Sequence, residues 1–172
     1  RYAAGGYICT SPFPYDGIFR RAVLNFKFHN CGAYAELLSH EMVRSIKDVY
    51  RDREFDLVTC VPMHKDTLRE RGYNQAELLA KECARLLGIE YADLLAKTKK
   101  NKTQHSIKAA ERAKNVIGVY SPIDKNLIKG KRILIIDDII TTGSTLGECA
   151  RILNKCKCGE ICCCTLCTSL LI

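Results

Sequence analysis

Two adjacent acids, Asp137 and Asp138, stand between an apolar run and a turn of small hydroxyl-bearing residues. The apolar run spans residues 133–136 and predicts a buried strand, and a helical pattern opens after the turn. The residues of the turn are Thr141, Thr142, Gly143, Ser144 and Thr145. In this order of elements, backbone N–H groups and the positive end of the helix surround an anion, while glycine allows close approach. The pattern therefore predicts a phosphate-binding loop.

Two other phosphate-binding motifs can be tested directly against the sequence. It contains no GxxxxGK[ST], and no GxGxxG follows a predicted strand, so neither the P-loop nor the dinucleotide motif fits. One alternative stays open, an ordinary strand–turn–helix in which a Thr or Ser caps the helix and the acids lie near its amino end.

The stretch 131–153 resembles the phosphoribosyl-diphosphate (PRPP) motif of type I phosphoribosyltransferases, in which two acids and T-T-G-x-T follow a hydrophobic strand. The resemblance implies that residues 141–145 bind the 5′-phosphate of PRPP. It also implies catalytic roles for Asp137 and Asp138. Their carboxylates can accept hydrogen bonds from ribose hydroxyls and hold Mg²⁺ through water or PRPP.

A second polar segment, residues 62–75, follows the predicted strand 55–61. Ligand loops of α/β proteins lie at this end of a strand, and the planar guanidinium of arginine binds two oxygens of a diphosphate at once. The candidates for diphosphate binding are Pro62, Met63, Lys65, Arg69 and Arg71. The alternative is a solvated charged loop that ends at Asn74, the N-cap of the next helix. His64 fits either interpretation.

Residues 97–114 are polar and basic, with no apolar period. In phosphoribosyltransferases a flexible lid at this place in the chain closes over PRPP, excludes water and adds positive charge at the departing diphosphate. The candidates for such a lid are Lys97, Lys99, Gln104 and Arg112. A solvated mobile loop and a site for single-stranded nucleic acid are the alternatives, and the absence of aromatic stacking residues counts against the latter.

The remaining pattern predicts alternating strands and helices, which is typical of a parallel sheet with helices on both faces. Helices are predicted at 18–28, 35–49, 75–87 and from the phosphate loop to Gly159, and strands at 55–61, 91–96, 116–120, 133–136 and 160–168. Loops are predicted at 65–75 and 122–130, and an extended lead-in at 1–16. We divide the one compact domain into a lead-in with hood helices, 1–50, and an α/β core, 51–172.

Composition limits the class of protein. The 172 residues are 47% apolar and carry a net charge of +8, with no apolar run of membrane length and no secretory signal pattern. We therefore expect a cytoplasmic protein without membrane insertion. The excess of basic over acidic residues favours polyanionic ligands, either sugar phosphates or nucleic acid.

Eleven cysteines without an export signal indicate reduced thiols rather than disulfides. Six of them lie within residues 156–167. Consecutive cysteines on a strand point to opposite faces of a sheet and share one tetrahedral metal site poorly. We expect these thiols to pack in the core and regard zinc in this chain as the less favoured alternative.

The order of motifs along the chain is similar to that of the ComF family, phosphoribosyltransferase-like proteins associated with bacterial competence and DNA uptake. The series runs through Tyr15-Asp16-Gly17, Phe26-Lys27-Phe28, a V-P-x-h-(x)-R-x-R-G-[YF]-N-Q stretch, Thr103-Gln104, Arg112, Asn115-Val116 and the DD-TTG-T unit. Two positions depart from the family pattern, because Cys60 replaces a proline and Lys97 an arginine. The N-terminal four-cysteine zinc module of the family is absent from these residues, and the start at Arg1 is consistent with its lying upstream.

The resemblance implies a type I phosphoribosyltransferase-like (Rossmann-like) α/β fold with a small N-terminal hood. The favoured hypothesis is an enzyme, a pentosyl glycosyltransferase that transfers phosphoribosyl from PRPP with Mg²⁺ and releases diphosphate. The alternative is a non-enzymatic protein that handles single-stranded DNA with the DNA-uptake machinery and retains the phosphate pocket. No pattern in the sequence indicates the acceptor base or the oligomeric state.

Overall fold

The computed structural model of the chain describes residues 2–4, 6–28, 32–99 and 116–170. The strands are β1 (Tyr2–Ala4), β2 (Tyr7–Thr10), β3 (Phe13–Pro14), β4 (Leu57–Cys60), β5 (Glu90–Tyr91), β6 (Leu95–Lys97), β7 (Tyr120–Pro122), β8 (Arg132–Ile140) and β9 (Glu160–Thr168). The helices are α1 (Gly17–Phe28), α2 (Gly32–Val49), α3 (Lys65–Arg71), α4 (Gln75–Leu87), α5 (Lys125–Ile128) and α6 (Ser144–Lys155).

A central sheet orders its strands β1-β2-β9-β8-β4-β5, and β3 also pairs with β9. All of these pairings are parallel except that of β1 with β2. β6 and β7 form a separate antiparallel pair, the β6–β7 hairpin. The described residues of the predicted lead-in, 2–4 and 6–16, are mostly extended, and β2 and β3 join the central sheet.

Helices cover both faces of this sheet, because the side chains of the central strands alternate between two hydrophobic clusters. Leu134 and Ile136 of β8 pack in a cluster with α1, α2 and α4. Ile133 and Ile135 of the same strand pack in the other cluster, with α5, α6 and the β6–β7 hairpin. All four side chains are fully buried, as the period of two along a strand requires. The predicted α/β architecture is confirmed.

Three consecutive cysteines of β9 follow the same alternation. Cys162 and Cys164 lie in the cluster with α2 and α4, whereas Cys163 lies in the cluster with α6. Burial raises the pKa of the Cys164 thiol well above its usual value, so this side chain packs as a small neutral apolar group. The predicted core packing of these thiols is confirmed.

Two kinds of feature are absent from the described part of the chain. Within it, no cluster of three or more His, Cys, Asp or Glu side chains is arranged to hold a metal ion. No helix in the described ranges is both long enough and apolar enough to span a bilayer.

The predicted charged loop at 65–75 is wrong, because Lys65–Arg71 forms helix α3. The side chain of His64 caps this helix by accepting from the Asp66 N–H, and Gly72 ends it in the left-handed conformation at φ 83°. None of the helix residues is buried. An exposed helix has no apolar period, so apart from the capping residues its sequence gives no indication of a helix.

The predicted strand at 116–120 is displaced, since residues before Tyr120 form a turn and β7 spans Tyr120–Pro122. The predicted strand at 91–96 divides into β5 and β6. The predicted loop 122–130 contains helix α5, which the Asp124 side chain caps by accepting from Asn126 N at 2.8 Å. The final helix ends at Lys155 rather than at Gly159.

Asp56 and Arg132 connect β4 to the start of β8. The carboxylate of Asp56 accepts hydrogen bonds from Arg132 N (2.7 Å), Nε (3.1 Å) and Nη2 (2.8 Å). These bonds hold the pKa of Asp56 well below its usual value. A depressed carboxyl pKa stabilises the folded chain above the unfolded pKa of about 3.9, and this stabilisation is lost as the pH falls.

We therefore expect Asp56→Asn to lower the melting temperature at pH 7 and to flatten its fall between about pH 5 and pH 2. Melting temperatures measured across this range test the expectation. Asp52→Asn, which removes the same charge from the neighbouring exposed turn, is the control and should keep the wild-type slope. Equal slopes in wild type and Asp56→Asn would contradict the expectation.

Candidate functional site

The register of the parallel strands brings the predicted acids to the carboxyl edge of the sheet. Cys60, the last residue of β4, pairs with Ile136 of β8, and Val61 N donates to Ile136 O at 3.0 Å. β8 continues beyond this level, where Asp137 pairs with Thr165 of β9 on its other side. In parallel α/β sheets, ligands bind outside this edge.

A cavity of about 250 Å³ opens at this edge. It is lined by Val61, Pro62, Met63, His64, Thr67, Arg71, Asn74, Gln75, Ala76, Lys97, Tyr120, Asp137, Asp138 and Thr145. The cavity therefore brings together both predicted acids, three of the five diphosphate candidates, one predicted lid residue and one residue of the phosphate loop.

The phosphate loop encloses a smaller pocket of about 30 Å³ beside this cavity. Asp137 and Thr145 line both spaces. Gly143 is the N-cap of α6 in the left-handed conformation, with φ 73° and ψ 0°. Thr142 Oγ1 lies 2.8 Å from Ser144 Oγ. Residues with hydroxyl groups and the amino end of α6 thus line one small concavity, which is the arrangement that binds phosphate.

The two acids are half-buried near the carboxyl end of β8. Ile135 packs in the cluster with α6 and the β6–β7 hairpin and Ile136 in the other cluster, but Ile139 and Ile140 reverse this order, so the alternation of β8 shifts at the acids. Asp138 N donates to Asp137 Oδ1 at 2.9 Å. Both side chains line the cavity, which therefore extends across the end of the strand.

The connection from β4 to α4 forms another wall of the cavity. Asn74 is buried there, donates from Nδ2 to Val61 O at 3.1 Å and accepts from Ala76 N at 3.2 Å. Its predicted role as N-cap of α4 is confirmed. Because the same side chain bonds the end of β4, it fixes the start of α4 against the strand. His64 both caps α3 and lines the cavity.

Helix α3 divides the predicted diphosphate cations between two faces. Thr67 and Arg71, one turn apart, line the cavity. Lys65 and Arg69, also one turn apart, are exposed and do not line it. The predicted loop would have allowed all three cations to converge, whereas the helix directs only Arg71 to the cavity.

Lys97 lies on β6 and pairs with Tyr120 of β7. Its Nζ is 5.6 Å from the centroid of the Tyr120 ring, within the range of a cation–π contact. Burial lowers the pKa of the Lys97 ammonium, and the nearby charge of Asp137 opposes this shift. Lys97 is thus held on a hairpin.

Of the other lid candidates, Lys99 is exposed, and Gln104 and Arg112 lie outside the described residues.

Tyr120 and Thr67 are the polar cavity residues that the sequence analysis did not identify. Tyr120 meets Lys97 through antiparallel pairing, which joins residues distant in the chain. Thr67 lines the cavity because of its position on helix α3, and the capping residues are the main indication of this helix in the sequence. Neither is a defining position of a motif, so sequence spacing gives no indication of it.

Comparison with known families identifies the class of protein. The Phosphoribosyl transferase domain family matches residues 74–170, which is more than half of the chain. The chain therefore belongs to the phosphoribosyl transferase domain family. Within this class, similarity to curated relatives supports the resemblance to the ComF family that the order of motifs implied.

Two of these relatives are similar over most of the chain. Competence protein F of Haemophilus influenzae is 31% identical over 144 residues, which cover 81% of this chain and 63% of the relative. Competence protein ComFC of Bacillus subtilis is 31% identical over 152 residues, covering 88% and 60%. The DNA utilization protein YhgH of Escherichia coli is 30% identical over 101 residues, covering 58% and 44%. The chain thus spans between 44% and 63% of the length of these relatives.

The fold is also similar to solved structures. The glutamine phosphoribosylpyrophosphate (PRPP) amidotransferase from B. subtilis, complexed with ADP and GMP, superposes with a TM-score of 0.51 and 21% identity. The match covers 77% of this chain and 26% of that chain. Together with the family match, this similarity confirms the predicted type I phosphoribosyltransferase-like fold.

Proposed function

We propose that this chain binds PRPP with Mg²⁺ and transfers its phosphoribosyl group to a nitrogen acceptor, releasing diphosphate. One observation carries the proposal: the acid pair and the hydroxyl-lined phosphate loop adjoin one cavity, which two cations, Arg71 and Lys97, also line. A sugar that carries phosphate at one end and diphosphate at the other needs this combination of donors, acceptors and positive charge.

Each group has a role that its position supports. Residues 141–145 hold the 5′-phosphate through N–H groups at the start of α6 and through hydroxyls. Asp137 and Asp138 accept hydrogen bonds from the ribose hydroxyls. Arg71 and Lys97 bind the diphosphate and stabilise the charge that develops as it leaves. Most of the rate enhancement then comes from positioning and electrostatic stabilisation.

The donor set at the acid pair suits Mg²⁺. This ion prefers oxygen ligands and is commonly held by one or two carboxylates together with substrate phosphates. Asp137 and Asp138 are adjacent, half-buried and line the cavity, so they are the residues that would hold it. When bound, Mg²⁺ would neutralise part of the diphosphate charge.

A second candidate function is non-enzymatic handling of single-stranded DNA in competence or DNA uptake. It is favoured by the names of the relatives, which include competence proteins and a DNA utilization protein. Exposed cations outside the cavity could contact a phosphate backbone, among them Arg20 and Arg21 of α1 and Lys65 and Arg69 of α3. This function predicts tight binding with a steep dependence on salt concentration.

Calorimetric titration with PRPP, with and without Mg²⁺, tests the proposed binding. We expect saturable binding that requires Mg²⁺, followed by diphosphate release when a panel of nucleobases is supplied as acceptors. Absence of PRPP binding would refute the proposal. Binding without diphosphate release from any acceptor, together with tight DNA binding that weakens steeply with salt, would favour the second function.

A further inference from the structure

Glu148 of α6 is a buried carboxylate, only 5% exposed, and lies outside the residues that line the cavity. Its Oε1 accepts from the backbone N–H of Gly118 at 2.9 Å. Arg151, on the same helix, donates from Nε to Oε2 at 2.6 Å and from Nη2 to Oε1 at 2.7 Å. Arg151 first, and then the Gly118 N–H, lower the pKa of Glu148, so the carboxylate is ionised.

Gly118 lies in the turn that precedes Tyr120, the first residue of β7 in the β6–β7 hairpin. Val119 O accepts from Thr98 N at 2.8 Å and from Thr98 Oγ1 at 3.2 Å. The neighbouring residues Tyr120 and Lys97 form the adjacent cross-strand pair. Hydrogen bonds at the adjacent residues Gly118 and Val119 therefore join the Glu148 carboxylate to the hairpin that holds Lys97 in the cavity.

The same helix carries the phosphate loop at its amino end. Thr145, which lines both the cavity and the phosphate pocket, is three residues before Glu148 and so lies on the same side of α6. Side chains such as Leu146 and Cys149 form an apolar interface between α6 and the segment 116–122. Glu148 thus provides a polar, directional connection between the two elements.

We propose that Glu148 is a positioning residue that sets the place of Lys97 relative to the phosphate loop. This inference rests on the proposed function, in which the phosphate loop holds the 5′-phosphate and Lys97 binds the diphosphate. The distance between these two groups of the ligand is limited by its ribose. The two elements that bind them must therefore keep a fixed separation, and the Glu148–Gly118 hydrogen bond maintains it.

The test compares two ligands and two substitutions. With Mg²⁺, Glu148→Ala should weaken PRPP binding about tenfold, equivalent to about 1.4 kcal/mol, but change the binding of ribose 5-phosphate less than twofold. Glu148→Gln keeps an oxygen that accepts from Gly118 N, so it should restore most of the PRPP affinity. The control is Glu82→Ala, which removes a similar i,i+3 pair with Arg85 from α4, away from the cavity, and should leave PRPP binding unchanged.

A double-mutant cycle and hydrogen exchange complete the test. In a Lys97→Ala background, Glu148→Ala should have no further effect on PRPP binding, because its role is to position Lys97. Additive effects, or an equal loss of ribose 5-phosphate binding, would overturn the proposal. Glu148→Ala should also accelerate amide exchange at Thr98 relative to α4, and unchanged exchange would overturn the proposal even if PRPP did not bind. Failure of the wild type to bind PRPP would refute the proposed function instead.

Discussion

Asp137→Asn combined with Asp138→Asn is expected to abolish Mg²⁺-dependent binding of PRPP. Asparagine preserves the size of each side chain and an oxygen that accepts the Asp138 N–H bond. Both negative charges are lost, however, and with them the ligands for Mg²⁺ and the charged acceptors for the ribose hydroxyls. At about 1.5–3 kcal/mol for each charged hydrogen bond, two such losses weaken binding by a factor of about a hundred to ten thousand.

The measurement is calorimetric titration with PRPP in the presence of Mg²⁺. Asp52→Asn combined with Asp124→Asn is the matched control, since it makes the same change in net charge at exposed positions outside the cavity. Asp124 is an N-cap, and asparagine caps helices as well as aspartate does. We expect this control to bind PRPP like the wild type. Unaltered binding in the variant of the acid pair would refute the assignment of the site.

Strong apolar patterns account for the parts of the fold that the sequence predicts well. Residues 160–168 were predicted as the last strand and form β9 with the same bounds, and residues 75–87 form α4 as predicted. Helix α4 buries one face, which imposes the helical period on its sequence, whereas β9 is buried on both faces and reads as a continuous apolar run. Helix α3 buries none, and without that constraint the sequence 65–71 reads as a charged loop.

The same distinction applies to the residues of the candidate site, some of which the sequence indicates and others of which it does not. The acids and the phosphate loop are contiguous in the chain, so their spacing alone indicates how they lie together. Lys97 and Tyr120 come together only through antiparallel pairing. Glu148 meets Gly118 only because α6 packs beside the hairpin. Contacts of this kind are set by tertiary packing, and a single sequence carries no period or spacing that reveals them.

Gly143→Ala is expected to weaken the binding of both PRPP and ribose 5-phosphate by at least about a hundredfold. Gly143 has φ 73° and ψ 0°, a left-handed conformation that costs other residues about 1–2 kcal/mol. Relief of this strain moves the loop toward right-handed angles and displaces the amino end of α6, where Ser144 and Thr145 line the pocket of about 30 Å³. Loss of two hydrogen bonds to a charged phosphate, at about 1.5–3 kcal/mol each, gives the expected factor.

The matched control for this substitution is Gly88→Ala. Gly88 ends α4 with φ 68° and ψ 31°, and a Cβ added there meets no atom within 4 Å. Both substitutions should therefore lower the free energy of unfolding by about 1–2 kcal/mol, as measured by urea denaturation, but only Gly143→Ala should lose ligand binding. Equal affinities in the two variants would mean that the bend between β8 and α6 does not hold the phosphate. Loss of PRPP binding with normal ribose 5-phosphate binding in Gly143→Ala would assign the loop to the diphosphate instead.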